Sequence, residues 1–331
     1  MRWVKGNLNI VNLRTFQTVI ETGSHTAAAK KLGYTTSAVS QQIAALEKAV
    51  GVELFERGPR SLWPTPAGLA MSTHADVILR QVARVEDEMQ IFASGSQGSL
   101  RIGASGTAAA ALVPRALSRL AMRYASAEIS VDDIGLQKMA DAVLEGVVDL
   151  GILYEYGNVP LPRPEGLVFN PILDEELVVI SAARSTGTTT EIFHLKDFSQ
   201  ERWITNEVGT SGTENFLHVC RESGFEPKVG FYSNDFDVIR GLVKETLGIA
   251  LVPALALGID RGISMHRLSV PAPRRIVHVL HRASDNNPLL AVAMAALRDA
   301  AEVFIDWTRD AFEIHLDSPV ATIVTGLESD I

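Results

Sequence analysis

The sequence predicts a two-part fold. An N-terminal winged helix-turn-helix, mainly α, runs into a long linker helix and then into an α/β body. Three observations predict it. Residues 12–50 hold short helical stretches joined by turns that contain glycine. Residues 66–94 carry an apolar seam at heptad spacing. From about residue 98 onward, strand-like apolar runs alternate with helical ones.

The N-terminal helices follow in order. "NLRTFQTVIETG" places Leu13, Phe16, Val19 and Ile20 at helical spacing, with Asn12 as the expected cap and Gly23 as the stop. "SHTAAAKKLG" makes a second short helix, capped by Ser24 or Thr26 and closed by Gly33. Its alanines let two helices cross closely. "TTSAVSQQIAALEKAVG" makes the third, on which Val39, Ile43, Leu46 and Val50 form one stripe. Its opposite face carries Ser37, Gln41, Ala44 and Lys48, flanked by Thr36 and Ser40. A solvated helix face usually shows Glu and Lys pairs. This one is short, polar and free of carboxylates before Glu47. After Gly51, "VELFERGPRSLWPTPAG" has a Gly-Pro turn between two short apolar stretches, which fits a β-wing. The first domain is therefore residues 1–65.

In the linker, Met71, Ala75, Ile78, Val82, Val85, Met89 and Phe92 are spaced 4, 3, 4, 3, 4, 3. A seam this narrow fits pairing with a second helix better than burial in a globule. The alternative is a helix lying on its own domain. Met71, Ile78, Val82, Val85 and Met89 are the candidate dimer seam. "SGSQGS" at 94–99 reads as a flexible hinge, so linker and hinge span 66–97.

The body has candidate strands "SLRIGAS", "AEISVDD", "VDLGILY", "EELVVISA", "RWITN", "KVGFYS", "GIALVP" and "RIVHVLHR". Helical segments at 107–124, 136–146, 211–223, 235–246 and 287–307 alternate with them. That order predicts parallel sheets. Residues 309–331 show no period and are either a mobile tail or an added strand.

Composition narrows the function classes. The chain has 331 residues, is 47% hydrophobic and carries a net charge of −9. Residues 1–65 hold eight Lys/Arg against four Asp/Glu, a balance of +4, so the remainder carries −13. A basic module on an acidic body suggests two tasks. The longest apolar run, Leu247 to Ile259, is 13 residues and contains Pro253, short of the roughly 20 needed for a membrane span. The N-terminus has no apolar signal region. The single cysteine, Cys220, fits a reducing cytoplasm, and its helical neighbours Phe216 and Leu217 suggest a small core residue. The histidines lack metal-ligand spacing, and no P-loop, nucleophile elbow or GxGxxG is present. "SGTE" at 211–214 reads as a capping box. Neither a catalytic site nor a cofactor is expected.

The N-terminal residues strongly resemble the DNA-binding domain of LysR-type transcriptional regulators. The match comprises Gly23-Ser24-x-Thr26-x-Ala28-Ala29, Leu32, Ser37-Ala38-Val39-Ser40, Gln42-Ile43, Leu46-Glu47 and Gly51. The wing adds Leu54-Phe55-x-Arg57-x-x-Arg60 and Thr65-x-Ala67-Gly68. A weaker resemblance continues through "VLEGVVDLGIL" and "DVIRGLVKETLGIALVP" to about residue 308. The chain departs from the family where His25 stands for Phe, Thr36 for Gln, Gln41 for Arg and Pro64 for Leu. Those changes make the family's base preferences unsafe to copy.

The resemblance implies that Thr36 to about Val50 is the recognition helix, and physical chemistry agrees. A major groove about 12 Å wide admits one helix. Ser37 and Gln41 are short enough to reach base edges, Gln pairs bidentately with adenine, and Ala44 offers a methyl to thymine. Thr36 lies at the positive helix end, suited to a phosphate. Ser24, Thr26, Ser40, Arg57 and Arg60 are further candidate DNA contacts, each with a cap or a solvated polar group as the plainer reading. Pairing through the 71–92 seam implies a homodimer or homotetramer on an inverted-repeat operator in double-stranded DNA. The alternative, a protein partner for this module, differs in lacking the steep salt dependence of DNA binding.

The resemblance further implies an effector-binding domain at 98–308, like a periplasmic binding protein. Its two α/β subdomains would be about 98–173 with 275–308, and about 174–274. The chain would cross near Ile172–Asp174 and return near Pro271–Arg275. Ligands in open α/β sheets sit at the carboxyl ends of strands. Ser105, Gly106 and Thr107 are expected on one side of the cleft, and Thr205, Asn206, Ser233 and Asn234 on the other. Capping is the plainer role for each. No arginine pair is visible in those loops, so a monoanion or polar neutral effector is expected. RNA polymerase is a further partner the resemblance allows, in a cytoplasmic setting and with no membrane partner.

Overall fold

The computed structural model describes residues 8–57, 62–94, 98–183, 192–258, 262–311 and 321–322. The chain divides into two compact units, Met1–Gly95 and Ser96–Ile331.

In the first unit, α1 (Ile10–Thr22), α2 (His25–Leu32) and α3 (Thr36–Val50) precede a hairpin of β1 (Phe55–Arg57) and β2 (Leu62–Pro64), then α4 (Pro66–Ser94). The caps set the boundaries. Asn9, not Asn12, caps α1 and accepts from Val11 N at 2.8 Å. Ser24 caps α2 through Ala27 N at 3.0 Å, and Thr35 caps α3 through Ala38 N at 3.2 Å. Glycines 23, 33 and 51 end the three helices in the left-handed conformation that a side chain resists. Leu13, Phe16, Val19, Ala28, Ala29, Val39, Ile43 and Leu46 form the core with Leu54 and Phe55 of the wing.

The linker helix differs from the expected free seam. Ala75 is fully buried in this same core, and Met71, Ile78 and Leu79 pack against it. Gln17 and Asp76 share a hydrogen bond, and Ser72 Oγ donates to Gln17 Oε1 at 3.0 Å, tying α4 to α1. Met71 and Ile78 therefore cover the unit's own core, whereas Val85 and Met89 are exposed and Val82 is half-buried. The Phe92 side chain lies outside the described residues.

The second unit begins with β3 (Ser99–Ala104), α5 (Gly106–Ala111), α6 (Val113–Arg123), β4 (Glu128–Asp133), α7 (Leu136–Leu144) and β5 (Leu150–Tyr156). β6 (Leu167–Ala182) and β7 (Ile192–Phe193) follow, then β8 (Arg202–Thr205), α8 (Ser211–Glu222), β9 (Lys228–Tyr232), α9 (Phe236–Lys244) and β10 (Ile249–Pro253). β11 (Ile263–Leu268), β12 (Arg274–Arg282), α10 (Pro288–Ala311) and β13 (Ala321–Thr322) complete it. The expected helix at 107–124 is broken at Leu112, ahead of Pro114, into α5 and α6. β6 extends eight residues N-terminal of the expected "EELVVISA", β7 and β11 were not expected, and β13 is the added strand that was one reading of the tail.

The strands run β4-β3-β5-β12-β6-β10-β8-β9. The outer pairs β3–β4, β3–β5, β8–β9 and β8–β10 are parallel as expected. The centre is antiparallel instead, because β12 returns against both β5 and β6 while β10 and β11 return against β6. β6 is the shared strand. It pairs with β12 as far as Glu176 and with β10 from Leu177. One α/β half thus lies on each side of that change of partner, a few residues beyond the expected crossing. The expected tail starts late, since α10 runs to Ala311 and β13 lies on β6 at Asp174 and Glu175. No helix among the described residues is long and apolar enough to cross a membrane.

Candidate DNA face and effector cleft

α3 presents the face the sequence singled out. Val39 and Leu46 are fully buried, which clamps the helix, while Thr36, Ser37, Gln41, Ala44 and Lys48 are exposed. Glu47 is turned away from that face, its Oε1 accepting from Leu54 N at 2.8 Å. The only carboxylate of α3 is thus used to fasten the wing. Ser37 Oγ lies 3.0 Å from the cap hydroxyl of Thr35. Ser40 is half-buried and its Oγ meets His25 Nδ1 at 3.1 Å. That explains His25 in a position the family gives to Phe: its ring lies edge-on to Phe55 at 6.4 Å and also orients α3. Ser40 and Ser24 are thereby assigned structural partners, and Thr26 stays exposed. Arg57 is placed by its backbone on β1, opposite Leu62. Its side chain, and Arg60 as a whole, lie outside the described residues.

In the second unit the residues expected on one cleft wall do come together, though not with free hands. Ser105 begins α5, and Gly106 has φ +61°, which a side chain would strain. Tyr154 fills the space in front of them. Its hydroxyl donates to Ser105 O at 2.7 Å and accepts from Ala108 N at 2.9 Å. The Ala108 amide in the first turn of α5 is therefore already bonded. Thr107 is 5% exposed, and its Oγ1 accepts from Arg275 Nη2 at 2.8 Å. Of these three residues, Ser105 and Gly106 are accessible and Thr107 is packed into the junction.

The opposite wall is also knit together. Ser233 N donates to Thr205 O at 2.9 Å, and Asn206 Nδ2 to Ser233 O at 3.3 Å. Asn234 accepts from Glu207 N at 3.1 Å and donates to Glu207 Oε2 at 2.9 Å. Thr205 is 5% exposed, so its side chain belongs to the core. Thr210, not Ser211, caps α8. Gly212 lets the Asn206 side chain come close, since a Cβ there would lie 2.5 Å from Asn206 Oδ1 and 3.4 Å from the Tyr156 hydroxyl and the Asn206 amide would have to shift. The end of β5 thus approaches both walls, Tyr154 at α5 and Tyr156 at α8.

Beneath this junction lies a buried ion pair that the sequence reading missed. Arg275 is 1% exposed and donates to Glu175 Oε1 from Nη2 at 2.5 Å and from Nε at 2.9 Å. Glu175 Oε2 accepts from Leu255 N at 2.7 Å. The Arg275 guanidinium sits 4.1 Å from the Tyr154 ring centroid. Burial pushes the Glu175 carboxyl up, against the pull of Arg275. Burial alone would lower Arg275, but the facing carboxylate outweighs it and holds the guanidinium protonated. A signal was available: Arg275 is in phase with buried Val277 and Val279, and Glu175 with Leu173 and Leu177. Two opposite charges on the apolar faces of two strands suggest that they meet.

Cys220 is fully buried among Trp203, Phe216 and Val219, and burial pushes its thiol up to about 12. It is a core residue. Among the described residues no cluster of His, Cys, Asp or Glu could hold a metal ion.

Comparison with known proteins agrees with both units. Residues 10–69 match the family described as bacterial regulatory helix-turn-helix protein, lysR family, and residues 93–311 match the LysR substrate binding domain. The chain is 29% identical over 297 residues to the probable HTH-type transcriptional regulator LrrA of Synechococcus elongatus, covering 89% of this chain and 98% of that one. It is 30% identical over 252 residues to the HTH-type transcriptional regulator TfdS of Cupriavidus pinatubonensis, covering 75% and 83%. Full-length CbnR solved in complex with its target DNA shares the fold at a TM-score of 0.67 and 23% identity, over 89% of this chain and 100% of that one.

Proposed function

This chain belongs to the LysR family of ligand-responsive, DNA-binding transcriptional regulators, and from that premise we propose how its residues divide the task. α3 lies in the major groove, with Ser37 and Gln41 reading base edges and Ala44 meeting a thymine methyl. Thr36, at the positive end of α3, faces a phosphate. Thr26, Lys48, Arg57 and Arg60 add backbone contacts that position without reading sequence. The observation that carries this reading is the exposed, carboxylate-free face of α3 above its buried Val39–Leu46 stripe.

Val82, Val85 and Met89 pair α4 with a second copy, in this reading. The operator is then an inverted repeat with half-sites about one helical turn apart, or further in a tetramer. A polar neutral or mono-anionic effector enters between Ser105–Gly106 and the Asn206 loop. The arginine beside that cleft, Arg275, is already matched by Glu175, which supports an effector of low charge. Closure of the two halves shifts an existing equilibrium and alters how the protomers pack on DNA. RNA polymerase contact and a cytoplasmic setting belong to the same reading.

Selection of bound sequences from random DNA tests it. We expect an enriched dyad that is lost in Ser37→Ala and Gln41→Ala. No enrichment, with or without added metabolites, overturns the proposal.

A further inference from the structure

Two polar side chains, one from each half of the second unit, meet at the first turn of α8. Tyr156 closes β5 and is 8% exposed. Its hydroxyl makes no hydrogen bond among the described residues, and it is not one of the unbonded side-chain atoms sealed from solvent. The little surface that Tyr156 keeps therefore includes the hydroxyl. Across from it, Asn206 is half-buried and its Nδ2 donates to Ser233 O at 3.3 Å. A carbonyl only accepts, so that bond settles which end of the amide is nitrogen. Asn206 Oδ1 has no donor among the described residues and is likewise not sealed.

Both oxygens lie against one spot. A Cβ on Gly212 would be 2.5 Å from Asn206 Oδ1 and 3.4 Å from Tyr156 Oη. The spot carries no side chain, so a small group beside Gly212 reaches both oxygens. Their chemistry selects the group. Oδ1 only accepts, so the group must donate to it. Oη is free to donate, so the group can accept from it. A hydroxyl or a primary carboxamide does both. A carboxylate has no proton to give, and its charge would press on Oδ1, with the Glu207 carboxylate on the same loop. Arg275, directly across from Tyr156 on β12, gives no relief, because Glu175 already matches it.

We infer that Tyr156 and Asn206 set the class of effector, and that the effector presents a neutral hydroxyl or primary carboxamide beside Gly212 rather than a carboxylate. This rests on the effector cleft proposed above and narrows its choice of a neutral or mono-anionic ligand to a neutral head. Such a head bonds β5 of one half to the Asn206 loop of the other. Occupancy therefore favours the arrangement in which the two halves are drawn together.

The test is thermal-shift titration of the full chain with matched sets of probes. Each set holds a primary amide, the corresponding carboxylate and the N,N-dimethyl amide, on straight-chain bodies from acetyl to octanoyl and on benzoyl. Primary amides are expected to stabilise the protein. The carboxylates and dimethyl amides, which cannot donate, are not. Tyr156→Phe should weaken the best amide roughly three- to tenfold, the effect of one neutral hydrogen bond. It should leave the ligand-free midpoint unchanged, because the hydroxyl holds nothing in the protein. Gly212→Ala, whose methyl takes up the spot, should abolish binding. A preference for carboxylates overturns the inference, as does amide binding that keeps full affinity in Tyr156→Phe. In either case loss of that binding in Ser105→Ala leaves the cleft itself standing. A lowered ligand-free midpoint in Tyr156→Phe also overturns it, since the hydroxyl would then hold the fold. Binding by no probe at millimolar concentration overturns the inference together with the cleft, while the reading of α3 on DNA keeps its own test.

Discussion

Arg275 donates through Nη2 to Thr107 Oγ1 across 2.8 Å, joining the return strand β12 to the start of α5, 168 residues away in sequence. The same guanidinium neutralises Glu175 on β6. Three segments at the crossing between the two halves therefore share one buried cation. Removing one partner strands the other charge in an apolar interior. Arg275→Met or Glu175→Leu alone should cost about 3–5 kcal/mol in urea unfolding of the second unit. The double variant should recover much of that loss. Singles no worse than the double would mean the pair does not hold the crossing together.

That cation also marks the limit of what the sequence discloses. The helix-turn-helix was legible because its signals are local: glycines 23, 33 and 51 and the 39–43–46 stripe need no distant partner. The outer parallel strands were legible for the same reason. The antiparallel centre was not, because "ISMHRL" and "LVFNPILD" show no clean alternation and gain strand form only by pairing with β6 and β12. The loops at the strand ends were legible, but the partners of their side chains were hidden. Which tyrosine fills the start of α5 depends on the register of β5 against β3 and β12, a long-range fact.

The residues of the α4 seam differ in their surroundings. Val85 and Met89 are 58% and 52% exposed, whereas Ile78 packs on the helix-turn-helix core. Val85→Asp with Met89→Asp should dissociate the dimer in sedimentation velocity and leave the helical signal unchanged. Ile78→Asp should instead unfold the first unit, at a cost of about 2–5 kcal/mol. Dimers that persist in the Val85/Met89 double variant would show that protomers join elsewhere.

Gln41 and Lys48 share the exposed face of α3 but should fail differently. Gln41→Ala is expected to cost about 1–3 kcal/mol of binding and to relax preference at one base position. Lys48→Ala should weaken binding evenly across sequences and flatten the dependence on log salt by about one unit. Fluorescence anisotropy over a salt series, on the selected operator and on scrambled DNA, separates the two. Equal losses on both DNAs for Gln41→Ala would remove it from base readout.

His266 makes the second unit sensitive to mild acid. Its ring lies among Phe193 and Phe198 and meets Ser181 Oγ through Nε2 at 2.8 Å. Burial lowers its pKa, and burial also lowers that of His278 despite the facing Glu155 carboxylate. The unfolded chain, with histidines near their ordinary value of about 6.5, then takes up protons before the folded one. Stability from this source is complete above about pH 6.5 and declines as the pH falls toward the depressed folded values. Thermal unfolding between pH 7.5 and about 5 should show the midpoint dropping. His266→Asn, which keeps a partner for Ser181 and cannot protonate, should show a shallower drop. An unchanged slope in that variant would place the acid sensitivity on other groups.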